Sequence, residues 1–179
     1  MISRSIFLLI LLVSLSFAIN LVSPGSHILN DGDIIDLGTI GPGQTVSILI
    51  DPKVTTGGIH GIGGLYDLAV AEDLPRGWQS TESKLYQNPL QVTITADPDS
   101  PEGDYVAKIV VIDENNGEQL GNITFYAKVK ITWDVMDFEV TPAYLTVGPG
   151  QPARYEIKLT NKGSASDVFK VSAIGSKRW

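Results

Sequence analysis

The stretch NITFYAKVKITW, residues 122–133, alternates without a break. Its odd positions are Ile123, Phe125, Ala127, Val129, Ile131 and Trp133; its even positions are Asn122, Thr124, Tyr126, Lys128, Lys130 and Thr132. Successive side chains of a strand point to opposite faces, so this pattern predicts a strand with one buried face. Shorter alternating runs occur at Val46-Ile48-Ile50, Tyr66-Leu68-Val70 and Val92-Ile94-Ala96. Residues 105–112 are apolar on both faces apart from Lys108, as a central strand requires. Between the two longest runs, Asn116-Gly117 tolerates the positive φ of a hairpin tip. Short strands with Gly and Pro turns, and no helical periodicity, predict an all-β antiparallel sandwich.

The chain also repeats itself. Gly41-Pro42-Gly43-Gln44 returns as Gly148-Pro149-Gly150-Gln151, 107 positions later. An alternating run follows each copy: Val46, Ile48 and Ile50 after the first, Ala153, Tyr155 and Ile157 after the second. Upstream, Val22-Ser23-Pro24 corresponds to Val140-Thr141-Pro142. Downstream, Leu68 and Val70 before Trp78 resemble Phe169 and Val171 before Trp179. The shared order reads as tandem domains, a first over 19–132 and the N-terminal part of a second over 135–179. The second unit has about 45 residues, near the size at which a lone domain needs help, and it would leave a sheet edge unpaired. The expectation is a fragment of a longer protein, with strand exchange with a partner as the other reading. No Gly or Pro interrupts KITWDVMDFEV, so one strand is expected to run straight into the next domain. Trp133, on the buried face, would seal that stiff joint.

The first twenty residues read as a secretory signal. Arg4 opens it, residues 6–13 are apolar, and Ser16 and Ala18 are small residues at −3 and −1 of a cut between Ala18 and Ile19. The signal would occupy residues 1–18. The apolar segment 6–19 spans about 21 Å as a helix, short of a ~30 Å hydrocarbon core. Export rather than anchoring is expected, with no membrane span later in the chain. The formal charge is -7, from 13 basic and 20 acidic side chains. The basic residues are scattered singly apart from Lys177-Arg178, which excludes a phosphate-binding surface for nucleic acid. With no cysteine, the core and its ladders must hold the fold alone.

DLAVAEDLPRGWQS (67–80) and VTITADPDSPEGDYVAKIVV (92–111) resemble an immunoglobulin-like module found beside carbohydrate-binding modules in alpha-galactosidases, the NPCBM-associated family. That module also occurs in prokaryotic secreted and surface proteins, archaeal ones included. Leu74, Pro75, Gly77 and Trp78 match its first motif; Pro98, Pro101, Gly103 and Tyr105 match its second. In the second unit, Asn161 and Gly163 match its Asn-x-Gly turn, which in the first unit is replaced by the longer Gly-rich stretch 51–64. The resemblance covers residues 19–132 fully and 135–179 in part. It implies an immunoglobulin-like sandwich and no enzyme activity.

ADPDSPEGDY, residues 96–105, is the stretch most suggestive of chemistry. An EF-hand starting at Asp97 would put Pro101 at position 5, Glu102 at 6 and Lys108 at 12, and is excluded. The preferred reading is a corner between strands, shaped by Pro98, Pro101 and Gly103. A looser calcium site of Asp97, Asp99 and Glu102 is the second reading; no other cofactor is expected. GGIHGIGG (57–64) lacks the Gly-Lys-Ser/Thr ending of a phosphate loop. His27 and His60 are the sole histidines, too few for a His-rich metal site, and no nucleophile elbow exists. Trp78, Trp133, Trp179 and Tyr86 are candidates for a sugar platform, although the equivalence of Trp78 and Trp179 favours core packing. Asn122-Ile123-Thr124 is the N-glycosylation sequon.

These features lead to a non-catalytic secreted or cell-surface protein acting as a structural spacer, adhesin or envelope component. Its partner would be a protein or a cell-envelope polysaccharide. The alternative is an accessory carbohydrate-binding module of an exported glycosidase.

Overall fold

The computed structural model describes residues 18–53, 65–113, 121–172 and 174–175. All regular structure among them is β. Strands β1 (Ala18–Ser23), β2 (His27–Asn30), β4 (Thr45–Asp51), β6 (Gln79–Thr81) and β7 (Leu90–Thr95) form one sheet in the order β2-β1-β4-β7-β6. Strands β3 (Ile34–Ile40), β5 (Leu68–Glu72), β8 (Gly103–Ile112) and β9 (Ile123–Ile131) form the other, in the order β3-β9-β8-β5. The two sheets make a sandwich. A separate pair, β10 (Met136–Thr141) and β11 (Glu156–Asn161), is antiparallel over its whole length. No helix among the described residues is long and apolar enough to cross a membrane.

The alternation of 122–133 is realised in β9. Ile123, Phe125, Ala127, Val129 and Ile131 are all buried, while Tyr126 and Lys130 are exposed. They meet Ile48 and Ile50 of β4, Val92 and Ile94 of β7, and Ile19 and Leu21 of β1 in one core cluster. Burying side chains of this size stabilises by roughly 1.5–3 kcal/mol each, before the entropy of ordering them is subtracted. β8 lies between β9 and β5, central as its apolar faces required.

Three expectations are corrected. The sheets are not wholly antiparallel, because β3 runs parallel to β9, from Ile34↔Tyr126 to Ile40↔Ile131. About ninety positions separate those partners, so no local pattern carries the pairing direction. β5 is shifted by one residue in phase: Ala69 enters the core and Leu68 and Val70 are only half-buried, with Tyr66 buried ahead of the strand. A one-residue slip exchanges faces, and a run apolar on both faces does not fix it. Last, β9 ends at Ile131 and does not continue into β10; Trp133 lies in the bend between them and is 67% exposed. It is not a buried seal.

The two Gly-Pro-Gly-Gln turns have one geometry. Gln44 Oε1 accepts from the Gly41 N–H at 2.7 Å, and Gln151 Oε1 from the Gly148 N–H at 3.1 Å. Each glutamine N–H returns to its glycine carbonyl at 3.1 Å, and Gly43 and Gly150 share a φ of +75°. The hairpin tip at Asn116-Gly117 and the stretch 57–64 lie outside the described residues, as do Trp179 and most of the leader.

The β9 face sets a direct expectation. Phe125→Ala should cost about 3–5 kcal/mol in urea unfolding, and Tyr126→Ala, one residue along on the outer face, under about 1 kcal/mol. Equal costs would mean that the two faces are wrongly assigned.

Candidate functional site

Residues 96–102 join β7 to β8, and the side chains of Asp97, Ser100 and Glu102 there all have structural partners. The Ser100 N–H donates to the Asp97 carbonyl at 3.0 Å, and the Asp99 N–H to Asp97 Oδ1 at 2.7 Å, so aspartate and backbone together close a turn. The Asp97 carboxylate lies over Gly77, where an added Cβ would come within 1.7 Å of Oδ2. Gly77 has a φ of +82°, so the Leu-Pro-x-Gly-Trp motif needs glycine for both backbone and space. The two motifs thus fit against each other. Trp78 is buried, donates its indole Nε1–H to Ser100 Oγ at 2.9 Å, and packs on Tyr105 with ring centroids 5.1 Å apart. The Tyr105 hydroxyl donates to the Pro101 carbonyl at 2.9 Å.

Glu102 points elsewhere. Its Oε1 accepts from Thr132 Oγ1 at 2.7 Å and from the Trp133 N–H at 2.9 Å, gripping the bend that leads to β10. The backbone bond to Trp133, then the Thr132 hydroxyl, hold its carboxyl below the ordinary range. A carboxylate kept ionised in this way is the reverse of what a general acid needs. Asp104, the fourth acid, pairs with Lys128 at 3.5 Å on the surface. The structure does not bring Asp97, Asp99 and Glu102 together as a calcium cage. No group of three or more His, Cys, Asp or Glu among the described residues could hold a metal ion.

The remaining candidates are dispersed. His27 is exposed on β2, beside an open groove that also touches Asn20, Asp51 and Asn88. Asn122 is exposed, one residue before β9. Ala18 and Ile19 both lie in β1, where Ile19 is buried and the Ala18 carbonyl accepts from Lys53 Nζ. His60 falls outside the described residues. Trp78 belongs to the core, whereas Trp133 is exposed.

Sequence reasoning missed two clusters. Tyr66, Asp67, Ser83 and Asp113 are buried together at the start of β5 and the end of β8, and Ser83 Oγ accepts from the Ala69 N–H at 2.8 Å. Burial first, then the charge of Asp113, raises the Tyr66 hydroxyl above its ordinary value. Buried polar residues beside a strand leave no signature in periodicity. The second cluster is where the turn after β11 meets β3: the Ser164 N–H donates to the Thr39 carbonyl at 2.7 Å. Asn161-x-Gly163 signalled the turn, but nothing local signalled its contact.

No known family model matches the chain, and no curated protein matches it.

Two outcomes check this geometry. Ser100→Ala leaves the buried Trp78 N–H without an acceptor and should cost about 1–3 kcal/mol, read by urea unfolding with tryptophan emission. Glu102 has a lowered folded pKa. Its contribution is therefore fully present above the unfolded value of about 4.3 and is lost as pH falls through the lower folded value. Thermal unfolding of Glu102→Ala should show a shallower loss of stability over that acid window than the parent; superimposable profiles would exclude the brace.

Proposed function

We propose that this chain is a non-catalytic secreted or cell-surface protein of tandem immunoglobulin-like units, the first over residues 19–132 and the second beginning at 135. It serves as a structural spacer, adhesin or envelope component, with a protein or envelope polysaccharide as partner. The observation that carries this reading is the use made of the acidic corner. Of the candidate acids, Asp97 is committed to a turn and Glu102 to the inter-unit bend, and Ser100 between them holds a core tryptophan. A protein whose polar groups brace one unit against the next suits the task of holding a binding surface at a distance. The two motifs on which the resemblance to the NPCBM-associated module rests meet at Trp78 and Tyr105.

Export has a direct test. The protein isolated from its own cells should begin at Ile19 and react with a membrane-impermeant amine label on intact cells. A chain beginning at Met1, labelled only after lysis, would sink the proposal.

The accessory carbohydrate-binding reading is kept because Trp133 is exposed, as are Tyr144 and Tyr155, which wall an open groove on the second unit. Soluble polysaccharide should then shift the tryptophan emission of the parent and not of Trp133→Ala. No shift with any glycan tested would remove this alternative.

A further inference from the structure

Besides the grip of Glu102 on the bend, a second contact bears on the direction of the second unit relative to the first. β3 carries a bulge where its pairing with β9 shifts between Asp36 and Thr39. Gly38 lies in it with a φ of +81°, its N–H bound to Asp36 Oδ1 at 2.7 Å. Ser164, in the turn after β11, faces this glycine so closely that a Cβ there would be 2.0 Å from Ser164 Oγ. The serine engages both backbone groups of Thr39. Its N–H donates to the Thr39 carbonyl at 2.7 Å, and its Oγ accepts from the Thr39 N–H at 3.1 Å. Ala165, next along, is 4% exposed and joins the first unit's core cluster. Gln44 extends the contact by donating its Nε2–H to Asp167.

The turn is shaped for this seat in advance. Asn161 Oδ1 accepts from the Gly163 N–H at 2.9 Å, and its Nδ2 donates to the Ala165 carbonyl at 2.8 Å. One amide thus spans the turn and presents Ser164 and Ala165 outward. At the position 107 residues after Gly38 the sequence has Leu145 instead of a glycine.

We infer that Gly38 and Thr39 with Ser164 and Ala165 form a clasp that locks the two units in one mutual direction, with residues 132–135 as the hinge it restrains. The four bend residues lie outside regular structure; Glu102 holds Thr132 and Trp133, and the clasp adds a second restraint at Ser164 and Ala165. Opening the clasp would hand both backbone groups of Thr39 to water and take the Ala165 methyl out of the core cluster. The inference is independent of what the chain binds.

The test uses the full chain, whose lack of cysteine allows a label pair at Ser80→Cys on β6 and Lys158→Cys on β11. Double electron–electron resonance should give one narrow distance distribution. Ala165→Glu, which places a charge in the seat from the second unit's side, should move most of the signal into a broad distribution while the first unit keeps its cooperative unfolding. Gly38→Val should do the same from the other side, and Ser164→Ala should act in the same direction with a smaller effect. A distribution that stays narrow in Ala165→Glu, or is already broad in the parent, overturns the clasp. So does loss of the first unit's cooperative unfolding in Ala165→Glu, since Ala165 would then be part of that unit's own core.

Discussion

The inward face of β9 is the interaction on which the rest depends. Ile123, Phe125, Ala127, Val129 and Ile131 interleave with β1, β4 and β7 across the sandwich, and all are nearly free of solvent. Because β9 is flanked by β8 and β3, burying its face positions both neighbours. β8 then carries the acidic corner to the end where β9 stops, bringing Glu102 within reach of Thr132 and Trp133. β3 carries Gly38 and Thr39 to the same end, where the turn after β11 settles. Apolar burial is non-directional, but the pleat makes it select one face and one register. Two polar contacts on the joint are thereby placed by a core that contains neither.

The acidic corner shows how partners, and not composition, set what a carboxylate touches. Four carboxylates in ten residues invite a cation or a proton-transfer pair. Three of them have other partners in the structure. Asp97 turns back on its own backbone, Glu102 accepts from a neighbouring segment, and Asp104 meets Lys128. At Glu102 the bond from the Trp133 backbone N–H favours the ionised form. The buried set of Tyr66, Asp67, Ser83 and Asp113 is of another kind, placed within the sandwich end where polar groups must be satisfied by neighbours.

The second unit shares its turn chemistry with the first but not its surroundings. Both Gly-Pro-Gly-Gln turns close with the same glutamine bonds, so that geometry is carried by four residues and needs no context. The strands beside them differ. Ile48 and Ile50 of β4 are buried, whereas Ile157 and Leu159 of β11 are exposed. The same alternation yields a core in one place and an open face in the other, because burial requires an opposing layer as well as a pattern.

What the sequence determined by itself was whatever short-range sterics and period-two alternation control. The β class, the buried phase of β4, β7 and β9, the corner at Pro98 and Pro101, and the twin turns all follow from neighbours within a few residues. The tertiary structure alone decided the parallel pairing of β3 with β9, the phase of β5, the exposure of Trp133 and the seat of Ser164 against Gly38. Each of these joins residues far apart in the chain or chooses between two apolar faces. Alternation extended as far as Trp133, but the ladder ended at Ile131. A pattern states which side chains agree with one another; only the packed chain states where the neighbouring strand stops.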